Sequence, residues 1–139
     1  MAEIHLIEKP ITRAELKKIA EERFDGDLVK YKLYIKDLKK SWDKYSLEEQ
    51  LANIGSEVGR AAKWQGKDQE LFKGAKFRAL ELFDLTIDDP RWRRRLMEIG
   101  RVRELFCEAA EKGEIYGTTL KDLERYFLPF TLLARKFAN

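Results

Sequence analysis

Residues 46–64 read SLEEQLANIGSEVGRAAKW, with Leu47, Leu51, Ile54, Val58 and Ala61 recurring at steps of three and four. That spacing puts one apolar stripe along a helix. Ser46 followed by Glu49 is a capping box, which satisfies two of the free amides at a helix start. The same periodicity returns further on, ending with Leu120, Leu123, Phe127, Phe130, Ala134 and Phe137. Four such stripes can bury one another, so the sequence predicts a mainly α chain: an antiparallel up-down four-helix bundle over residues 45–139.

The boundaries follow from local chemistry. The first bundle helix runs to about Gln65, and the second from Lys67 or Asp68 to Ile87. Asp88-Asp89-Pro90 stops that helix and starts the third, with Asp89 as cap and Pro90 in its first turn. Gly113 ends the third helix, and Thr118 or Thr119 caps the last. Pro129 inside the last helix removes a backbone hydrogen bond, so a kink is expected near Arg125–Tyr126.

Residues 1–44 form an N-terminal extension to the same structural unit. Glu3 to Lys9 reads as a short strand or coil stopped by Pro10. Thr12 with Glu15 caps a helix that Gly26 ends after Phe24. Leu28–Trp42 is ambiguous. Val29, Tyr31, Leu33 and Ile35 alternate as on a strand, while Leu28, Tyr31, Ile35, Leu38 and Trp42 follow helical spacing. The helical pattern lasts longer and is preferred.

Composition narrows the chemistry. With 139 residues, 44% hydrophobic and 38% charged, the chain is long enough for one buried core. Its 28 basic and 25 acidic groups leave a net charge of +3, too small to imply nucleic acid by itself. The single cysteine, Cys107, falls in a helical run as a buried thiol, and the single histidine is His5. A Ser–His–Asp triad, a Cys–His dyad and a Cys- or His-rich metal site are therefore excluded within one chain. No apolar run reaches the ~20 residues of a membrane span and no signal peptide opens the sequence, so a cytoplasmic setting without membrane or cofactor is expected.

Three candidate sites remain. Gly55 and Gly59 lie inside a helix beside Ala52 and Ala62, although each glycine costs up to ~1 kcal/mol there. They mark either a close contact with a second subunit or a tight internal crossing with Phe77 or Phe83 opposite. Trp64 adds an interface candidate, and Trp42, Tyr45, Trp92 and Tyr116 are further aromatics suited to anchoring a partner. Arg91, Arg93, Arg94, Arg95, Arg101 and Arg103 crowd the third helix around Trp92, which suits phosphate contact with aromatic stacking. Asp84, Asp88, Asp89 and Glu98 stand close enough in sequence to cancel that charge. Glu81 and Asp84 make an E-x-x-D pair, and with Glu57 on the preceding helix could hold Mg²⁺ for phosphate chemistry.

That E-x-x-D pair resembles half the signature of the all-α NTP pyrophosphohydrolases (the MazG-like fold). Their second half, an E-x-x-E on an adjacent helix, is absent: Leu51 and Ala52 stand three places after Glu48 and Glu49. The helices and the Arg-rich segment are similar to the HEPN superfamily, which implies RNA-directed activity. The family's R-x4-6-H motif is missing, because no histidine follows any arginine, so that resemblance implies binding without cleavage. SLEEQLANIGSEVGRAAKW, RALELFDLTIDD and RVRELFCEAA resemble a family of small uncharacterised bacterial helical proteins over residues 42–136. IHLIEKPITRAELKKIAEERF, residues 4–24, resembles the start of another such family.

The sequence thus favours a non-enzymatic helical protein acting through protein–protein contact, as a homodimer or with another protein partner. Nucleic-acid binding through Arg91, Trp92, Arg93, Arg94, Arg95 and Arg101 is the alternative. Mg²⁺-dependent nucleotide hydrolysis at Glu57, Glu81 and Asp84 is the third reading.

Overall fold

A computed structural model describes residues 14, 18, 21, 24–111 and 117–137, with the side chains of 28 and 137 left aside. The expected strand at Glu3–Lys9, the Thr12–Glu15 box, His5, the helix stop at Gly113 and Tyr116 lie outside the described residues. Within them the chain is mainly helical: α1 (Leu28–Trp42), α2 (Leu47–Trp64), α3 (Gln69–Ile87), a 3₁₀ helix (Pro90–Arg95), α4 (Leu96–Glu111) and α5 (Leu120–Phe137). The ambiguous segment is helix α1.

Four of these helices, α1, α2, α3 and α5, start on a capping side chain. The Asp27 side chain accepts from the Lys30 amide at 3.1 Å, and that of Asp68 from the Leu71 amide at 3.1 Å. Ser46 and Glu49 exchange both bonds of their capping box, at 2.9 and 3.2 Å. Thr119 and Asp122 make the same reciprocal pair at the start of α5. Gly26, at φ +75°, follows Asp25 at φ +55° and closes the turn before α1.

One boundary differs from expectation. After Asp89 and Pro90 the chain does not enter an α-helix directly; six residues of 3₁₀ helix come first, with Trp92 off helical geometry at φ −102°, ψ 21°. The cause is tertiary: the Trp92 indole is drawn inward to a buried acceptor. Farther on, α5 carries Pro129 inside it, as the sequence predicts.

α2 lies at the centre, packed mainly against α5 and α3, while α4 leans on α3 and α5. Ile54, Val58, Ala61, Ala79, Leu80, Phe83 and Phe106 have no exposed surface, and Phe127 almost none. Phe83 touches both Phe106 and Phe127 ring to ring, at 5.8 and 6.1 Å. Cys107 is buried at the same core. No helix among the described residues is long and apolar enough to cross a membrane.

Candidate functional site

One polar cluster sits inside the apolar core. Gln50 is fully buried, and its amide nitrogen donates to the Trp42 carbonyl at 3.0 Å and to Asp89 at 3.4 Å. Its oxygen accepts from Thr86 Oγ1 and from the Trp92 indole, both at 3.0 Å. Thr86 in turn accepts from the Trp42 indole at 3.0 Å. The cluster joins the end of α1, the start of α2, the end of α3 and the 3₁₀ helix. Gln50 falls on the apolar stripe, three places after Leu47 and four before Ile54, the one signal that could have marked it as buried.

A cleft opens between α1 and α3. Along α3, Glu81, Asp84, Leu85 and Asp88 are spaced to share one face. Along α1, Tyr31, Lys32, Ile35, Lys36 and Lys39 do the same. The two faces, with Ala14, line a cavity of about 590 Å³. Glu81 and Asp84 form its buried wall, only 3% and 7% exposed. Tyr34 donates to Glu81 at 3.3 Å, with the Arg78 guanidinium 4.0 Å away. The Arg103 guanidinium donates to Asp84 at 2.9 Å. Burial, followed by the nearby carboxylates with Glu81 first, pushes the Tyr31 phenol up to about 12. On the opposite wall Lys39 pairs with Asp43 at 3.3 Å, while Lys32 and Lys36 carry no ion pair among the described residues.

The structure brings Glu81 and Asp84 to this cleft but not Glu57, which bonds Arg60 at 2.8 Å on α2 and does not line the cavity. Among the described residues no group of three or more His, Cys, Asp or Glu is arranged to hold a metal ion.

The arginine stretch is largely engaged within the chain. Arg91 grips both carboxylate oxygens of Asp89, the shortest contact being 2.6 Å, and its guanidinium lies 4.6 Å from the centre of the Trp92 ring. Arg95 bonds Glu98 at 2.8 Å, Arg101 bonds Glu104 at 2.9 Å and Arg103 bonds Asp84. Arg93 and Arg94 are exposed and carry no ion pair among the described residues. Trp92 is half-buried against the core, with its N–H committed to Gln50.

The glycine face of α2 meets α5, not Phe77 or Phe83. A Cβ at Gly55 would fall 2.5 Å from Phe127 Cβ, and one at Gly59 would fall 2.8 Å from Glu124 Oε2. This face is occupied inside the chain. Trp64 is half-buried under the Lys63 ammonium, 4.9 Å from its ring centre, and Trp42 is buried.

The outer side of α5 was not marked by the sequence. Leu128, Leu132 and Leu133 are 53%, 56% and 40% exposed, although Leu120, Leu123 and Phe127 on the same helix are buried. Leu133 and Ala134 border a groove of about 370 Å³ against Ser46, Glu48 and Glu49. Compared with protein-family models, curated proteins and solved structures, the chain matches none.

Proposed function

We propose that this chain is a non-enzymatic helical protein that acts through protein–protein contact, self-associating as a homodimer through the outer face of α5. In this reading α2–α5 are an antiparallel up-down bundle, α1 is its N-terminal extension, and the setting is cytoplasmic. The carrying observation is the exposed leucine cluster Leu128, Leu132 and Leu133. Apolar residues gathered on one rigid helix face mark contact sites more strongly than the same residues scattered singly.

Charge favours one orientation. The first turns of α5 carry Lys121, Asp122, Glu124 and Arg125, which sum to zero, while its last turn carries Arg135 and Lys136. Two copies running antiparallel set Asp122 and Glu124 against the partner's cationic end, whereas parallel copies would oppose like charges. Leu128 and Leu132, one turn apart, then meet across the two-fold axis. Covering the exposed part of six leucines supplies on the order of 5 kcal/mol before association entropy, with Pro129 and half-buried Phe130 widening the patch.

Sedimentation velocity at micromolar concentration tests this. The expected result is a dimer that Leu128→Glu/Leu132→Glu converts to a folded monomer. A wild-type monomer across that range would overturn it.

A further inference from the structure

We propose that the outer face of α1 docks this protein on the surface of an anionic lipid bilayer, lying among the headgroups without crossing the membrane. This rests on observations separate from the leucine face of α5. The inward line of α1 is Tyr31, Ile35, Leu38 and Trp42, of which Tyr31 and Trp42 are buried. Two places before each of these, about 200° around the helix, stand Val29, Leu33, Lys36 and Lys40. All of that outer line is exposed, Val29 at 67% and Leu33 at 55%. Lys30 and Lys32, also exposed, flank it on either side. Lys30, Lys32, Lys36 and Lys40 make no ion pair among the described residues. Asp37 is the acid on this face, so the face keeps a positive charge.

The mixture of side chains on that face selects its occupant. A bilayer surface offers anionic headgroups and, just beneath them, hydrocarbon. Val29 and Leu33, one turn apart, then enter the apolar layer while the lysines meet the headgroups. Lysine stems can lie along apolar surface with the ammonium held at the polar boundary, so the two kinds of contact form together. A nucleic-acid strand offers phosphates alone and would leave Val29 and Leu33 in water. It also binds through rings that stack on bases, and α1 exposes none for that: Tyr31 and Trp42 are buried, and Tyr34 donates to Glu81. Val29 and Leu33 occupy only the first half of α1, so insertion is shallow. Lysine attraction to the headgroups therefore carries much of the binding and makes it sensitive to salt.

The test is co-sedimentation of the full chain with vesicles of phosphatidylcholine alone or with about one-third phosphatidylserine. The expected result is roughly tenfold stronger binding to the phosphatidylserine vesicles. That binding should be lost when salt rises from about 0.1 M to about 1 M, which shortens the screening length from about 10 to about 3 Å. Lys36→Glu/Lys40→Glu should abolish it. Val29→Ser/Leu33→Ser keeps every charge and should weaken it roughly threefold or more. Arg93→Glu/Arg94→Glu changes the net charge as much as the lysine pair does, but on the 3₁₀ helix, and should leave binding within about twofold. All six positions are exposed, and circular dichroism checks that each variant keeps its helices. Absence of binding at millimolar lipid overturns the proposal, as does equal binding to phosphatidylcholine alone. A loss in the arginine variant equal to that in the lysine variant overturns it too. Tighter binding of single-stranded RNA that survives Val29→Ser/Leu33→Ser would assign the face to nucleic acid instead.

Discussion

Phe127 occupies the space that a side chain on Gly55 would need: a Cβ built there lies 2.5 Å from Phe127 Cβ and 3.1 Å from its Cγ. The absent side chain lets α5 approach α2 closely enough for Phe127 to reach Phe83 in the core. The atom in the way belongs to the root of a buried ring, so it cannot simply swing aside.

Gly55→Ala should therefore destabilise the fold by about 1–3 kcal/mol through overpacking, despite alanine's better helix propensity. Gly59→Ala meets only the far end of Glu124, whose side chain faces solvent and can rotate away. It should be neutral or stabilise by up to ~1 kcal/mol. Urea denaturation of the two variants checks the contrast. Equal effects would show that α5 does not press on Gly55.

Gln50→Leu keeps much of the volume but strips the acceptor from Thr86 and the Trp92 indole, and the donor from the Trp42 carbonyl. Buried polar groups left unsatisfied cost about 1–3 kcal/mol each, so a loss of at least ~3 kcal/mol is expected. Trp92 fluorescence should shift to longer wavelength as its ring loosens. A variant as stable as the parent would show that the cluster is dispensable.

Asp84 and Arg103 are both nearly buried, with side chains 10% and 12% exposed. Removing one partner alone, as in Arg103→Met, leaves a charge in a poor environment and should cost about 3–5 kcal/mol. Asp84→Leu/Arg103→Met removes both charges and should recover most of that loss. The double-mutant cycle, measured by thermal unfolding, separates the pair's coupling from simple loss of volume.

The Tyr31 phenol has its folded pKa raised from 10.0 to about 12, and burial with the Glu98 contact raises Tyr126 as well. A raised folded value means the contribution to stability is complete below pH 10 and is lost as pH climbs toward 12. Native-state ultraviolet titration should show late-ionising phenol absorbance, part of which Tyr31→Phe removes. Uniform ionisation near pH 10 would contradict their burial.

At the acid end, hydrogen bonds from Arg95 and then Tyr126 hold Glu98 below its ordinary 4.5. With a lowered folded value, its stabilisation is present above pH 4.5 and fades as the pH falls through the folded value. Glu98→Gln should flatten that part of the stability profile. A profile of unchanged slope would dismiss the contribution.

Local chemistry made most helix starts legible. Ser46 with Glu49, Asp68, and Asp89 before Pro90 each mark a beginning in the sequence, because a cap acts within one turn of itself. Apolar spacing likewise identified α2 and the inner face of α5. What escaped depended on neighbours distant in sequence. Nothing near Gly55 says that Phe127 rather than Phe77 or Phe83 stands opposite. The 3₁₀ turn at Trp92 exists because Gln50, forty-two positions earlier, offers an acceptor to its indole. The E-x-x-D spacing placed Glu81 and Asp84 on one face, yet their opposite wall of lysines comes from α1, and Glu57 faces elsewhere. Leu128 and Leu132 share a turn spacing with the core stripe, and only the position of α2 decides which leucines stay outside.

An apolar stripe repeating at each turn can slide along its neighbour by one turn and still find grease on the other side. The Gln50 cluster forbids that slippage at one end of the molecule. Displacing α2 by a turn, roughly 5.4 Å, would strand the indoles of Trp42 and Trp92 far from any acceptor. The glutamine thus works as a keyed pin, selecting one alignment of helices from several that hydrophobicity alone would accept.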